Sequence, residues 1–174
     1  MKVAVHEAGH AYIYYKSGKK PSYLTVVSRG HFVGYMQPEY EEDKGTCSKE
    51  EFLWMIRTSL AGRVAEQVVF GEDVSHNTGA SQDLVNASSK VIAMLTKYGM
   101  YEENLFAVSM NTLMNSPLSA EYVKKAEHIL EEQKQICIDL ITEGKDKIIK
   151  LAETAVDKTH LNFDEIEKII KSNS

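Results

Sequence analysis

Phe52, Ile56, Leu60, Val64 and Val68 recur at every fourth residue, and Leu53, Ala61 and Ala65 stand beside them. An α-helix brings residues so spaced onto one face. The stretch therefore predicts a long helix with one buried side. Ser48 and Glu51 fit a capping box at its start, and Gly71 closes it. Further helices are predicted around it. The first covers residues 2–17, is ended by Gly18, and is blocked from continuing by Pro21. Another runs from 82 to 98, with Leu84, Ala87, Val91, Met94, Leu95 and Tyr98 on one side and Gly99 as its stop. Two more, at 119–142 and 146–158, are separated by Gly144, and a short last one follows Asn162 with Glu165 in the capping-box position.

Residues 23–28 and 32–37 are β-branched and aromatic and read as two strands, with Arg29-Gly30 able to turn the chain between them. Loops are expected at 39–46 and 72–81, and residues 104–119 are mixed, with Pro117 as a breaker. The predicted fold class is mainly α, with a small antiparallel sheet or hairpin after the first helix and a C-terminal helical part. One domain is expected over 1–174, divided into a core at 1–115 and C-terminal helices at 116–174.

Composition removes several function classes. With 43% hydrophobic and 26% charged residues the chain can fold around a core. A net charge of −5, with no run of Lys or Arg, argues against nucleic acid or an anionic membrane surface as partner. Cys47 and Cys137 form no metal-binding or disulfide pattern and are expected to be reduced, buried thiols. No apolar run approaches the ~20 residues of a membrane span, and no secretory leader is evident, so a soluble domain is expected.

The chemistry is concentrated in His6-Glu7-Ala8-Gly9-His10, an HExxH sequence inside the first predicted helix. Four residues at ~100° each return to the same face, so the two imidazoles lie within about 6 Å and can meet one metal ion. Glu7 is one step round the helix, within reach of a water activated by that metal. Zn²⁺ suits such a set best. Two histidines and a glutamate on a helix surface would also fit the pattern, but Val3, Val5, Ala8 and Ala11 make an apolar setting in which unliganded histidines are poorly placed. The motif does not name the third ligand. Glu66, His76 and Asp83 compete: Glu66 by analogy with zincins that draw a glutamate from a downstream helix, His76 as an imidazole, and Asp83 as a short carboxylate at a helix start that offsets metal charge.

At this point the segment VAVHEAGHAY (3–12) resembles the peptidase domain of FtsH-type proteases, membrane-anchored, ATP-dependent zinc metalloproteases of the AAA+ class. The resemblance extends through TVVSRGHFVG (25–34), LAGRVAEQVVFG (60–71) and TGASQDL (78–84), and covers nearly the whole chain. It implies a mainly helical zinc peptidase domain that assembles as a homo-hexameric ring and holds one Zn²⁺ per chain. It also implies that His6 and His10 are metal ligands, Asp83 the third ligand and Glu7 the catalytic base. Unfolded polypeptides would be the substrates, fed by an AAA+ ATPase on the cytoplasmic side of a membrane. No G-x-x-x-x-G-K-[ST] loop is present, since Gly144-Lys145-Asp146 does not complete one. ATP would thus act only through a domain outside this chain, and a membrane only through a segment outside it. The abrupt start of the first helix suggests an excised domain rather than a stand-alone relative. The chain departs from the family at Ser28, where proline is usual, and at Ser75-His76-Asn77, a small expansion.

Other candidates carry weaker signals. His31, His128 and His160 read as surface or satisfied histidines, Glu66 as a partner of neighbouring side chains, and Tyr12, Tyr14 and Tyr15 as packing residues. The strand at 33–37 either offers an edge to an extended peptide or is covered by the chain itself. The rival reading from another class is a catalytically silent FtsH-like ring module that binds polypeptide. The intact His6, Glu7, His10 and Asp83 argue against it. A small metalloprotease of unrelated fold is the third, and TGAS-D argues against that.

Overall fold

In a computed structural model, residues 1–29, 31–38, 46–75, 78–101 and 107–172 are described. Gly30 at the expected turn, the acidic loop at 39–45, and His76 with Asn77 lie outside the described residues. In chain order the elements are α1 (Lys2–Lys16), β1 (Pro21–Arg29), β2 (His31–Pro38), α2 (Lys49–Phe70), α3 (Glu72–Ser75), a single 3-10 turn (Thr78–Ala80), α4 (Ser81–Thr96), α5 (Met110–Met114), α6 (Ser119–Glu143), α7 (Lys145–Lys158), β3 (His160–Asn162) and α8 (Phe163–Lys171). The architecture is mainly α, with a small antiparallel sheet after the first helix.

The start of α2 is the reciprocal capping box that Ser48 and Glu51 predict, and Asn162 with Glu165 makes a second one at α8. On α2, Phe52, Ile56, Leu60, Ala61, Val64 and Ala65 are buried, with Leu53 and Val68 half-buried beside them. This face packs against α1. A Cβ on Gly9 would stand 2.5 Å from Ala65 Cβ and 2.8 Å from the Ala61 carbonyl oxygen, so the two backbones approach as closely as glycine allows. The interior is completed by Val5 and Ile13 of α1, Leu24 of β1, Met94 of α4, Ile129 and Ile141 of α6, and Ile148 and Leu151 of α7.

Gly144 joins α6 to α7 at φ −95°, a conformation open to any residue. Its need for glycine comes from Tyr12, whose ring carbon Cζ lies 2.1 Å from where a Cβ would be. Tyr12 is thus the packing residue expected of it. Tyr15 is half-buried, and its hydroxyl donates to Glu167 at 3.2 Å.

Several features differ from the sequence-based expectation. The sheet has three strands in the order β2-β1-β3. β3 is three residues long, too short for a periodic signal, and is defined by pairing Leu161 with Leu24. The segment at 72–81 contains α3 and the 3-10 turn rather than loop alone, and α5 falls within the mixed stretch. The predicted helix at 82–98 ends earlier, at Thr96: Leu84 on its expected apolar face is 36% exposed, and Tyr98, beyond its end, is 46% exposed, while Ala87, Val91, Met94 and Leu95 are buried. Cys47, in the segment before α2, is exposed, not buried. Cys137 is buried, and burial pushes its thiol up to about 12. Among the described residues no helix is long and apolar enough to cross a membrane.

Candidate metal centre

α1 carries His6 and His10 along its contact with α2, and Glu7 one step round toward β2. The imidazoles meet edge to face with centroids 4.8 Å apart, and their Nε2 atoms are 3.2 Å apart. Asp83 comes from the first turn of α4, positioned by the 3-10 turn before it. Its Oδ2 lies 2.9 Å from His6 Nε2 and 3.2 Å from His10 Nε2. The structure therefore brings together three of the residues singled out above, with one ligand atom from each, all within 4.8 Å of one another.

The other ring nitrogens are held by α2. His6 Nδ1–H donates to Glu66 Oε1 at 2.7 Å, and His10 Nδ1–H donates to the Thr58 carbonyl oxygen at 2.7 Å. Both partners are acceptors only, so each neutral imidazole carries its proton on Nδ1 and turns the Nε2 lone pair toward Asp83. Two nitrogen lone pairs and a carboxylate oxygen then converge at hydrogen-bond distance with no donor between them. Such a set is self-repelling without a proton or a cation, and its chemistry fits a metal ion.

Between Thr58 and Glu66 on the same face of α2 lies Gly62. A Cβ there would stand 2.4 Å from His6 Nε2 and 2.6 Å from His10 Nε2. Both rings thus reach in against a helix backbone left bare for them. Glu66 is 3% exposed and also paired with Lys2 at 3.3 Å. It faces the Nδ1 side of His6, away from the converging atoms. Glu66 is thus not in the group of converging atoms, and it holds the His6 imidazole from its other side. His76 lies outside the described residues, as does the side chain of His31. His128 pairs with Glu132 at 3.4 Å, and His160 stacks near Tyr23, as surface histidines do.

The charges follow this geometry. Burial opposes ionisation of Asp83, but the imidazoles of His10 and His6 against it, whenever either holds a proton on Nε2, outweigh that and hold the carboxyl well below the usual carboxylate range. Burial likewise works against the charged form of His6, and Asp83 and Glu66 overcome it, leaving its pKa raised. Glu7 is raised chiefly by burial, against the pull of both histidines and a hydrogen bond from the Met36 backbone. These residues open onto a cleft of about 490 Å³ that is also lined by Met36, Ser59 and Gln82.

Thr58, Gly62 and Met36 are not singled out by sequence reasoning. Only Gly62 leaves a signal, as an isolated glycine inside a strong helical pattern, which marks a close approach. Thr58 and Met36 act through backbone groups that any residue type carries.

A model of peptidase family M41 matches residues 1–169. The chain is 34% identical to the ATP-dependent zinc metalloprotease FtsH of Metamycoplasma arthritidis, over 97% of this chain and 22% of that protein. It is 32% identical to the enzyme of the same name from Mycoplasma mobile, over 98% of this chain and 26% of that one. It is 33% identical to the ATP-dependent zinc metalloprotease FtsH 1 of a Thermoanaerobacter species, over 96% and 30%. The chain thus spans between a fifth and a third of the length of these relatives.

Proposed function

The chain belongs to peptidase family M41, and from that membership we propose that it is a zinc-dependent endopeptidase domain hydrolysing unfolded polypeptide. The observation that supports this most is the convergence of His6 Nε2, His10 Nε2 and Asp83 Oδ2 with both Nδ1 protons committed elsewhere. In this reading those three atoms hold Zn²⁺. When bound, the metal supplies Lewis acidity, lowering the pKa of water toward ~7 and polarising a carbonyl.

The chain's own residues do the rest. Glu66 and the Thr58 carbonyl keep both imidazoles in the ligating tautomer. Glu7 takes the proton of the attacking water on its carboxylate and delivers it to the leaving amide nitrogen. The Met36 amide fixes that carboxylate against β2. Among the described residues β2 is an outer strand of the sheet, and its outer edge would hold an extended peptide by main-chain hydrogen bonds, with little demand on side chains. Feeding by an AAA+ ATPase, a ring of six, and placement on the cytoplasmic side of a membrane belong in this proposal to the whole protein.

Zinc-loaded chain is expected to digest casein without ATP, to stop when a chelator is added, and to leave a stable folded domain intact. Absence of cleavage in the presence of zinc, or stimulation by ATP, would contradict the proposal.

Gly62→Ala is expected to leave the helical circular dichroism intact while displacing both imidazoles. Zinc affinity, measured by calorimetric titration, should fall at least ~10²-fold. Wild-type affinity in this variant would mean that the rings do not bind metal where they lie against α2.

A further inference from the structure

Lys90 stands on α4 behind Ser59, a residue of the cleft lining. Its Nζ donates to Ser59 Oγ at 3.1 Å and to the Asn86 carbonyl oxygen at 3.4 Å. Ser59 itself lines the cleft, beside Thr58 and Gln82. An ammonium has three donors, so one is left over, and both acceptors it uses are neutral. Among the described residues no carboxylate lies in ion-pair range of it. Burial lowers its pKa, and Asp83, on the same helix, pulls the other way, toward the charged form. Once Asp83 is committed to a metal, this half-buried cation has no counter-charge of its own. The described cleft lining itself contains neither Lys nor Arg, so Lys90 behind Ser59 is the cation the described residues offer beside it.

We propose that Lys90, presented through Ser59, is a specificity-determining residue that receives an acidic side chain of the substrate polypeptide. The inference rests on the endopeptidase reading above. Lys90 is seven residues beyond Asp83, which is about 10 Å along a helix. An extended peptide rises ~3.3 Å per residue, so the Asp or Glu received lies up to about three residues from the scissile bond. Main-chain binding along β2 would then set the register of the peptide, and Lys90 would bias which registers are cut.

The test uses zinc-loaded chain and matched fluorogenic peptides that differ only in Glu or Gln at each of the three positions on either side of one scissile bond. At one position the Glu peptide is expected to be cleaved with a kcat/KM about five- to tenfold above its Gln partner, with the ratio falling as salt is raised. The ratio should approach one in Lys90→Met, persist in Lys90→Arg, and invert in Lys90→Glu. Because each ratio is internal to one preparation, a general change in activity does not affect it. If a variant is inactive, the salt dependence of the wild-type ratio decides. A wild-type ratio of one at every position, a salt-independent ratio, or an unchanged ratio in Lys90→Met would overturn the inference and leave the endopeptidase reading standing. Failure of zinc-loaded wild type to cleave either peptide would instead overturn that reading, and this inference with it.

Discussion

Glu7→Gln protein is expected to bind one zinc per chain and to cleave casein at least ~10²-fold more slowly than wild type. Glu7 opens onto the cleft but stands outside the group of converging ligand atoms. Its replacement therefore removes no donor to the metal. Glutamine keeps the shape of the side chain, and its amide oxygen can still accept from the Met36 backbone. What it loses is the ability to take a proton from water and return it to the leaving nitrogen. Metal content and rate should thus separate cleanly. Undiminished proteolysis by a verified Glu7→Gln preparation would show that another group is the base. Loss of zinc from it would show that Glu7 belongs to the metal site.

Asp83→Ala is expected to lose zinc and activity together. Its Oδ2 is the oxygen that meets both Nε2 atoms, and it supplies the one negative charge in the set, which two neutral imidazoles cannot. Glu66→Ala should behave differently. Glu66 meets His6 at Nδ1, the side away from the converging atoms, so its removal takes away a hold on the ring and no metal ligand. Zinc should still bind, ~10–100-fold more weakly. His76→Ala should keep both zinc and cleavage. Measured by metal analysis and titration on the purified variants, this order distinguishes a ligand from a residue that orients one. Wild-type zinc affinity in Asp83→Ala, with loss of zinc in Glu66→Ala or His76→Ala, would reverse the assignment.

The long helices are legible in the sequence because burial of one face imposes a period that is repeated over several turns. α2 shows this from Phe52 to Val68, and its ends carry their own chemistry in Ser48, Glu51 and Gly71. β3 and α5 are too short for any period to develop: β3 is defined by its pairing with β1, and α5 is little more than one turn capped by Ser109. At the site, His6, Glu7 and His10 are legible because their chemistry is in their side chains at helical spacing. Asp83 is reached through the family resemblance and by charge, and the structure then places it against both histidines. The supporting parts are hidden for a physical reason. Thr58 and Met36 contribute main-chain groups, Gly62 contributes the absence of a side chain, and Glu66 reads as one more charged residue on an amphipathic helix.

The central claim, a single catalytic zinc held by this chain, is tested most directly by titrating chelator-stripped protein with Zn²⁺ while following cleavage of an unfolded substrate without ATP. The account predicts no cleavage at the start, a linear rise, and a plateau at one equivalent per chain, the single group of ligands that the described residues provide. Full cleavage by the stripped protein, or no response to zinc at any ratio, would contradict it.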